Sequence, residues 1–435
     1  MVRRNIKFGA VLALLVIARG AAADAPLEQF QPQFQAYSKD HKIELPIRTS
    51  FSAFFSPPIS TPGNIRVLIF PHLGAYSLPQ GRETKFDEVT FRSVGDCEVY
   101  PDSVPPRATQ PRVTRTLTVR YNDVKNHRLM VKCPTRTTLQ RENGLRSFDY
   151  QGTFFVTGKI ETNGRPAVQV VQYLPFETYL KGVVPAEMPA SWHEEALKAQ
   201  AIAARSYALY QWQNEKIKAR TRDYDLDDTV YYQAYLGLSW MHKNANQAVD
   251  ETKGLALWYK DNPAKTFFSA DSGGYTEVAE NVWSSPCGFC VSKPEVYDLN
   301  LGPKSWHLTF TLADIEARLR KAKLHSGAAT LRSLQIDPNK VNQSGRVMEV
   351  ELTFSDGNYI RLFGPKFQQL LHMRSNLFTM KNTAGVNGQN QLEFEGRGFG
   401  HGVGMNQWGA RILARDYGWN YRQILFFYYN FVDLR

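Results

Sequence analysis

One acidic residue in this sequence stands between two prolines, in the stretch V-V-P-A-E-M-P from Val183 to Pro189. Proline fixes its own φ angle and pushes the residue before it out of the helical region. We therefore predict a stiff, non-helical backbone around Glu187, just before a helix that begins near Ser191. A carboxyl group held in this way is suited to proton transfer, and the alternative role is a structural hydrogen bond.

The segment after Glu187 carries the clearest helical pattern in the chain. Ser191 and Glu194 fit the S-x-x-E capping box, and residues 192–214 contain neither glycine nor proline. Alanine recurs along this segment, at positions 196, 199, 201, 203, 204 and 208. Because alanine is small, we expect a buried core helix that other parts of the backbone approach closely.

Short stretches with period-two or β-branched patterns precede this helix and predict an antiparallel, β-rich module. They are Ile65–Phe70, Thr116–Tyr121, Arg128–Cys133, Thr153–Ile160 and Val168–Tyr173, with a hairpin signal at Asn163-Gly164. Downstream we predict a hairpin and four helices, at Val347–Phe363, Ala313–Lys323, Phe367–Arg374, Met405–Tyr417 and Tyr421–Tyr429.

The expected fold class is α+β, with a β-rich N-terminal module and a mixed α/β catalytic core whose long helix follows the Glu187 loop. We expect an irregular lead-in over residues 24–63, the β-rich module over 64–170 and the catalytic region over 171–435.

The first 23 residues have the features of a secretory signal: basic residues, an unbroken apolar run and three alanines at 21–23. The apolar run, Phe8–Ala18, is shorter than the roughly 20 residues that a membrane-spanning helix needs. The alternative is an uncleaved anchor. The formal charge is +11, and loss of residues 1–23 removes four basic residues and no acidic one, leaving +7. No basic cluster with interleaved aromatic residues is present, so nucleic acid is not an expected partner.

The chain contains four cysteines, and an even number in an exported protein favours disulfides. Three pairings are possible. We favour Cys97–Cys133 and Cys287–Cys290, the second closing a very short C-G-F-C loop. The alternative for C-G-F-C is half of a zinc site, although no second C-x-x-C accompanies it.

Near the C-terminus, the stretch G-R-G-F-G-H-G-V-G, Gly396–Gly404, allows the backbone to approach a ligand or another element closely. His401 within it is a candidate for ligand binding or proton transfer, with a structural role as the alternative. Ser272 begins a tight S-G-G turn, and no context of a nucleophilic serine surrounds it. The nine histidines show no H-x-x-x-H spacing of a metal site.

Three motifs in this order resemble the stage II sporulation protein D family. They are V-V-P-A-E-M-P-A-S-W with the alanine-rich helix, S-G-G-Y-T-E-V-A-E-N-V-W, and G-R-G-F-G-H-G-V-G-M-N-Q-W-G-A. The resemblance is concentrated in residues 170–435. It implies a lytic transglycosylase that cleaves peptidoglycan strands without stem peptides and leaves 1,6-anhydro-muramyl ends.

In the family pattern the catalytic acid falls on Glu187, which would serve as both acid and base. We expect substrate-binding roles for a further five residues: Arg205, Tyr207, Ser272, His401 and Gln407. Some relatives bind zinc in a segment that corresponds here to Asp225–Tyr235, which contains neither cysteine nor histidine. We therefore expect no metal and no other cofactor.

The expected partners are peptidoglycan glycan strands and an N-acetylmuramoyl-L-alanine amidase. Because some relatives carry an amidase-enhancer label, the alternative function is a non-catalytic peptidoglycan-binding module that stimulates an amidase. A third alternative is an ordinary hydrolase, which would leave reducing muramic ends.

Overall fold

The structure, a computed structural model, describes residues 62–69, 87–101, 110–140, 148–161, 164–217, 222–230, 232–283, 286–295, 305–384 and 390–435. The predicted signal at residues 1–23 and nearly all of the predicted lead-in lie outside these ranges. Within them, no helix has both the length and the apolar character needed to cross a membrane.

A seven-stranded sheet forms one side of the main core, as the prediction of a β-rich module required. In chain order its strands are β1 (Asn64–Ile69), β2 (Glu88–Pro101), β3 (Arg112–Arg120), β4 (Arg128–Gln140), β5 (Phe148–Ile160), β6 (Pro166–Pro175) and β7 (Leu226–Asp227). Their spatial order is β3-β2-β4-β5-β6-β1-β7, and all neighbours are antiparallel except β1 and β7. The five predicted strands correspond to β1, β3, β4, β5 and β6, while β2 and β7 were not predicted.

Both favoured disulfides are present. Cys97 on β2 is bonded to Cys133 on the neighbouring strand β4, with their Cα atoms 4.4 Å apart. The second disulfide joins Cys287 to Cys290 within one short loop. A cysteine in a disulfide has no thiolate to offer a metal ion, so the half-site alternative for C-G-F-C is wrong in this structure.

Helices pack against the sheet and complete the main core. They are α1 (Tyr121–Val124), α2 (Phe176–Glu187), α3 (Glu194–Ile217), α4 (Lys243–Glu251) and α5 (Glu280–Trp283). Three short strands lie between α4 and α5 in the chain: β8 (Leu257–Tyr259), β9 (Asn262–Pro263) and β10 (Phe268–Ser269). One continuous apolar cluster joins the sheet to α2 and α3. The expected boundary at residue 170 therefore falls inside β6 and is not a break in packing.

The backbone at Glu187 is helical, so the prediction of a non-helical loop there was wrong. Helix α2 continues through Pro185 and ends at Glu187. A proline inside a helix costs about 3 kcal/mol, but Tyr179, Leu180 and Val183 on the same helix are fully buried, and this burial outweighs the local cost. The proline rule does hold one residue later, where the extended Met188 precedes Pro189.

The long helix also begins later than predicted. Helix α3 starts at Glu194, and the ring Nδ1 of His193 accepts a hydrogen bond from the backbone N–H of Glu195 at 3.3 Å. The backbone N–H of Trp192 donates to the carbonyl of Pro189, so residues 189–192, which include Ser191, form a turn before the helix. His193, and not Ser191, therefore caps the helix, and the predicted capping box is not formed.

The expectation of a buried, closely approached alanine helix is confirmed. Every residue of α3 from 199 to 209 is buried. The side-chain amide of Gln233 donates to the carbonyl of Ala204 at 3.1 Å, and the hydroxyl of Thr266 donates to that of Ala203 at 2.7 Å. Small side chains leave these helix carbonyls accessible to loops on two sides.

A second apolar cluster lies between Trp306 and Phe394 and is separate from the first. Its elements are β11 (Trp306–Thr311), α6 (Leu312–Lys321), β12 (Leu331–Gln335), β13 (Glu349–Phe354), β14 (Tyr359–Phe363), α7 (Gly364–Leu371), β15 (Phe378–Ala384) and β16 (Asn390–Gly396). They include a β11-β16-β15 sheet and a β12-β13-β14 sheet. The predicted hairpin and helices here are confirmed, but the separate core that they form was not predicted.

After the second core the chain returns to the main core. Its last elements are β17 (Met405–Asn406), α8 (Gln407–Tyr417), α9 (Tyr421–Tyr428) and β18 (Asp433–Leu434). Helix α8 ends on Gly418 in the left-handed conformation, at φ 69°, and Asn420 with Gln423 forms a capping box for α9. Both C-terminal helices therefore agree with the prediction.

A buried ion pair connects α2 to α3. Arg205 on α3 is fully buried, and its Nε and Nη2 atoms donate to the two carboxylate oxygens of Glu177 at 3.0 and 2.8 Å. The same guanidinium donates to the carbonyls of Val249 and Leu255, each at 3.1 Å. These contacts satisfy the buried charge and fix the first turn of α2 relative to α3.

We expect Arg205→Met to lower the free energy of unfolding of the main core by about 3 kcal/mol or more, because it leaves Glu177 and two carbonyls without their partner. The control Arg115→Met breaks an exposed pair with Asp96 on the same sheet, which should cost less than about 1 kcal/mol. Urea denaturation followed by circular dichroism measures both, and equal losses would contradict a stabilising role for the buried pair.

Candidate active site

Glu187 lies where three distant parts of the chain meet. Its carboxylate accepts a hydrogen bond from the backbone N–H of Ala234 at 2.6 Å, and another from the side-chain amide of Gln407. The Glu187 side chain is partly buried. The end of α2, the loop before residue 237 and the start of α8 thus surround one carboxyl group.

Burial raises the pKa of Glu187 to about 7, because removal from water disfavours the charged form. The hydrogen bonds from Ala234 and Gln407 oppose this shift, since they stabilise the carboxylate. A helix N-terminus close by would also have favoured the charge, but α3 begins only at Glu194. The group therefore titrates near neutral pH, which is the range required of a catalyst that both gives and takes a proton.

Buried tyrosines form one wall of the site. Tyr179 is fully buried on α2, and its pKa is well above its usual range because of burial and the charge of Glu187. The Tyr235 ring packs against Tyr179 at a centroid distance of 5.1 Å, and its hydroxyl donates to Gln172 at 2.9 Å. A side chain at Gly182 would collide with the Tyr235 ring. Because residue 182 is glycine, the Tyr235 ring can pack against α2. This packing positions the backbone N–H of the neighbouring Ala234 next to the Glu187 carboxylate.

Gln407 is the first residue of α8 and is almost fully buried. Its side-chain amide also donates to Gln200 on α3 at 3.3 Å. The preceding residue, Asn406, caps α8 by accepting from the N–H of Gly409, and donates to the hydroxyl of Ser272 at 3.1 Å. The position of the Glu187 partner is therefore set by both α3 and the S-G-G turn.

The second core contributes a buried arginine to this arrangement. Arg346 is fully buried and donates to the carbonyls of Ser272 and Tyr275, at 2.7 and 2.9 Å. A side chain at Gly402 would collide with its guanidinium. The glycine-rich loop can therefore run over Arg346 only with glycine at this position, and Arg346 in turn fixes the turn that holds Asn406.

The glycine-rich loop places His401 against aromatic rings. Its Nδ1 accepts from the N–H of Val403 at 2.9 Å, and its ring also hydrogen-bonds to the backbone of Phe268. The Trp283 ring lies 4.8 Å away. Burial, with the nearby charge of Arg346, lowers the pKa of His401 to about 3, so it is neutral at ordinary pH. In this arrangement His401 shapes the loop.

The predicted substrate-binding residues are not all in one place. Gln407 contacts Glu187, and Tyr207 is close enough to Tyr179 to contribute to the raised pKa of Tyr179. Arg205 is fully buried with its donors engaged, so the geometry gives it a structural role at the far end of α2. Ser272 is fully buried too, and its hydroxyl accepts from Asn406 and from the N–H of Gly274. Substrate contact by Tyr207, His401 and Gln407 stays a prediction.

Sequence reasoning missed the parts of the site that depend on tertiary contacts. The Ala234 N–H has no side-chain signal, and the segment around it, Asp225–Tyr235, was considered only as a possible metal site. In the structure Asp225 pairs with Arg66 at 2.6 Å, and Asp227 accepts from Thr229. Tyr179 lies on the helix that ends at Glu187, and no helix was predicted there.

The fold and the site together define an α+β protein organised around one candidate acid–base carboxyl group. Residues 165–259 match a family model described as stage II sporulation protein. Residues 304–404, which include the second core, match a model described as a domain of unknown function.

Three relatives illustrate the similarity. The chain is 34% identical over 268 residues to an uncharacterized protein of Brachyspira hyodysenteriae, covering 61% of this chain and 68% of the relative. It is 31% identical over 276 residues to stage II sporulation protein D of Bacillus subtilis, covering 61% and 76%. It is also 31% identical over 289 residues to an amidase enhancer of Bacillus subtilis, covering 58% and 39%. The chain belongs to the stage II sporulation protein D family.

The raised pKa of Glu187 predicts a pH-dependent stability. Its pKa is about 7 in the folded chain against an ordinary 4.5, so between these values the folded state holds a proton that the unfolded state releases. Folding stability then falls as pH rises from 4.5 to 7, by up to about 3 kcal/mol. We expect Glu187→Gln to be more stable than wild type at pH 8 by up to that amount, and little different near pH 4.

Urea denaturation at pH 4 and pH 8 measures this difference. The control is Glu280→Gln, which neutralises an exposed carboxyl group at the start of α5 and should show no such pH dependence. A Glu187→Gln variant with the same stability difference at both pH values would contradict the raised pKa.

Proposed function

We propose that this chain is an exported lytic transglycosylase of peptidoglycan. It cleaves the bond between N-acetylmuramic acid and N-acetylglucosamine in strands without stem peptides and leaves 1,6-anhydro-muramyl ends. Membership of the stage II sporulation protein D family supports a role at the cell wall. The observation that carries the reaction type is the Glu187 carboxyl group, partly buried, with a pKa of about 7 and two hydrogen-bond donors.

In the first step Glu187 acts as an acid. At neutral pH about half of the molecules carry the proton. Transfer of that proton to the glycosidic oxygen lets the N-acetylglucosamine side leave as an alcohol, and positive charge develops at C1 of the muramic ring. The Ala234 N–H and the Gln407 amide stabilise the carboxylate that remains.

In the second step the same carboxylate acts as a base. It takes the proton of the C6 hydroxyl group of the muramic ring, and the C6 oxygen closes on C1 to form the 1,6-anhydro bond. The proton that Glu187 gave is thereby restored, and no water is consumed. One carboxyl group suffices, whereas a glycoside hydrolase ordinarily uses two acting on the sugar.

The rival function is a peptidoglycan-binding module without catalysis. It is favoured by the similarity to the relative named amidase enhancer, although the chain spans only 39% of that protein. A chain of this kind would bind glycan and stimulate an amidase without cleaving the strand itself. In that case Glu187→Gln would leave both properties unchanged.

The test is digestion of intact and amidase-treated sacculi by wild type, Glu187→Gln and the control Glu280→Gln. We expect anhydro-muramyl ends from amidase-treated sacculi with wild type and with the control, and at least about a 100-fold loss with Glu187→Gln, the scale of one general acid–base group. Mass spectrometry of the released fragments identifies the ends. Undiminished yield from Glu187→Gln, or reducing muramic ends from wild type, would overturn the proposal.

The pH dependence provides a further check on the same digestion. Because Glu187 must begin the reaction protonated, the rate should fall as pH rises through about 7. A rate that is constant between pH 5.5 and pH 8.5 would contradict the assigned first step.

A further inference from the structure

Two tryptophans and an arginine form a compact group on the surface beside the candidate active site. The rings of Trp192 and Trp408 meet edge to face with centroids 4.9 Å apart. The guanidinium carbon of Arg411 lies 4.8 Å from the centroid of Trp408 and 5.5 Å from that of Trp192. All three side chains are partly exposed. The aromatic rings therefore hold one cation in a defined place while leaving part of it accessible.

Among the residues that the structure describes, none forms an ion pair with Arg411. It makes no hydrogen bond or salt bridge with any residue in the described part of the chain. Asp416, which attracts it from a distance, is engaged by both Nε and Nη2 of Arg415, at 2.8 and 2.7 Å. Partial burial already lowers the pKa of Arg411, and the charge of Arg415 lowers it further. A partly exposed guanidinium that no described carboxylate contacts is a site that an anionic ligand would stabilise.

This group lies next to Glu187. Arg411 follows Gln407 by four residues on α8, a spacing that places two side chains on the same helix face about 5–6 Å apart at their Cβ atoms. Gln407 hydrogen-bonds to the Glu187 carboxylate. Trp192 follows Glu187 by five residues, in the loop between α2 and α3. A ligand that reaches Glu187 would therefore extend over the tryptophans and Arg411.

A neighbouring cavity is a weaker candidate for an anionic ligand. It has a volume of about 230 Å³, lies between α3 and α4, and has Trp192 in its wall. Its cation is Lys198, which is already paired with Glu195 at 2.9 Å and Glu251 at 2.8 Å. A further anion there would meet two carboxylates, whereas at Arg411 it would meet an unpaired cation.

The chemistry of the group indicates a sugar that carries a carboxylate. The planar guanidinium of arginine matches the two oxygens of a carboxylate, and tryptophan rings supply flat, apolar contact area for the C–H face of a sugar. In a peptidoglycan strand, muramic acid carries a lactyl carboxylate, which is free only when no peptide is attached. With a peptide attached, the same carbon is a neutral amide.

We propose that Arg411, held by Trp192 and Trp408, binds the free lactyl carboxylate of an N-acetylmuramic acid residue next to the bond that is cleaved. This inference rests on the proposed function, since it specifies which strands that same site accepts. Arg411 is then the residue that discriminates strands without peptides from strands that carry them.

The test measures binding by calorimetry with the full chain carrying Glu187→Gln, which prevents turnover. The probes are a tetrasaccharide of alternating N-acetylglucosamine and N-acetylmuramic acid with free lactyl carboxylates, the same tetrasaccharide with those groups as methylamides, and chitotetraose. We expect the free acid to bind about 10- to 100-fold more tightly than the methylamide, the range of a charge-assisted hydrogen-bonded pair. Adding Arg411→Met should remove this difference and leave methylamide binding nearly unchanged.

The matched control is Arg422→Met, which removes an exposed arginine that lies over the Tyr421 ring on α9 and should preserve the preference for the free acid. Arg411→Lys, which keeps the charge without the planar fork, should retain a smaller preference. Equal binding of free acid and methylamide, or a preference that survives Arg411→Met, would overturn the carboxylate assignment while leaving cleavage by Glu187 untouched. Carboxylate-dependent binding in a chain that produces no anhydro ends would overturn the proposed reaction and leave Arg411 in its role.

Discussion

The buried guanidinium of Arg205 is the interaction on which the geometry of the candidate site depends. It binds Glu177 in the first turn of α2 and the carbonyls of Val249 and Leu255. One charged side chain on α3 therefore holds three other segments of the main core in place. A charge at this depth is tolerated only when its donors are satisfied, and here they are. Because the start of α2 is fixed in this way, the direction of the helix is fixed as well, and its last residue, Glu187, reaches one particular position.

Around that position the site is assembled from parts far apart in the chain. The Ala234 N–H comes from a loop seated by Tyr235, and the Gln407 amide comes from the helix that follows the second core. Arg346 connects the second core to the S-G-G turn and, through Asn406, to the start of α8. The second core is therefore part of the framework that positions a group in contact with Glu187. The second core has an apolar cluster of its own and still contributes to the site, because the buried Arg346 connects the two.

Local patterns were reliable where local forces dominate. Period-two strands and the two C-terminal helices were predicted, because such elements are decided by residues close in sequence, such as the capping pair Asn420 and Gln423 and the helix-ending Gly418. The prediction failed at Pro185, where burial of α2 outweighs the local preference of proline. It failed again at Ser191, because the turn from Pro189 to Trp192 delays the helix to Glu194. The boundary between the two cores was missed, since an apolar residue carries no mark of the cluster that it will join.

The sequence by itself indicated the fold class, the favoured disulfide pairing, the long alanine-rich helix and, through the family motifs, the candidate acid, because these depend on composition, spacing and motifs. The tertiary structure alone decided how that acid behaves. The pKa of Glu187 depends on how much water the surrounding chain removes and on which donors reach the carboxylate, and those donors lie 47 and 220 residues away in sequence. Arg205 and Arg411 make the same point. Both are cations on helices, but packing surrounds Arg205 with hydrogen-bond acceptors in the core and leaves Arg411 between two tryptophans at the edge of the site, without an ion pair in the described part of the chain.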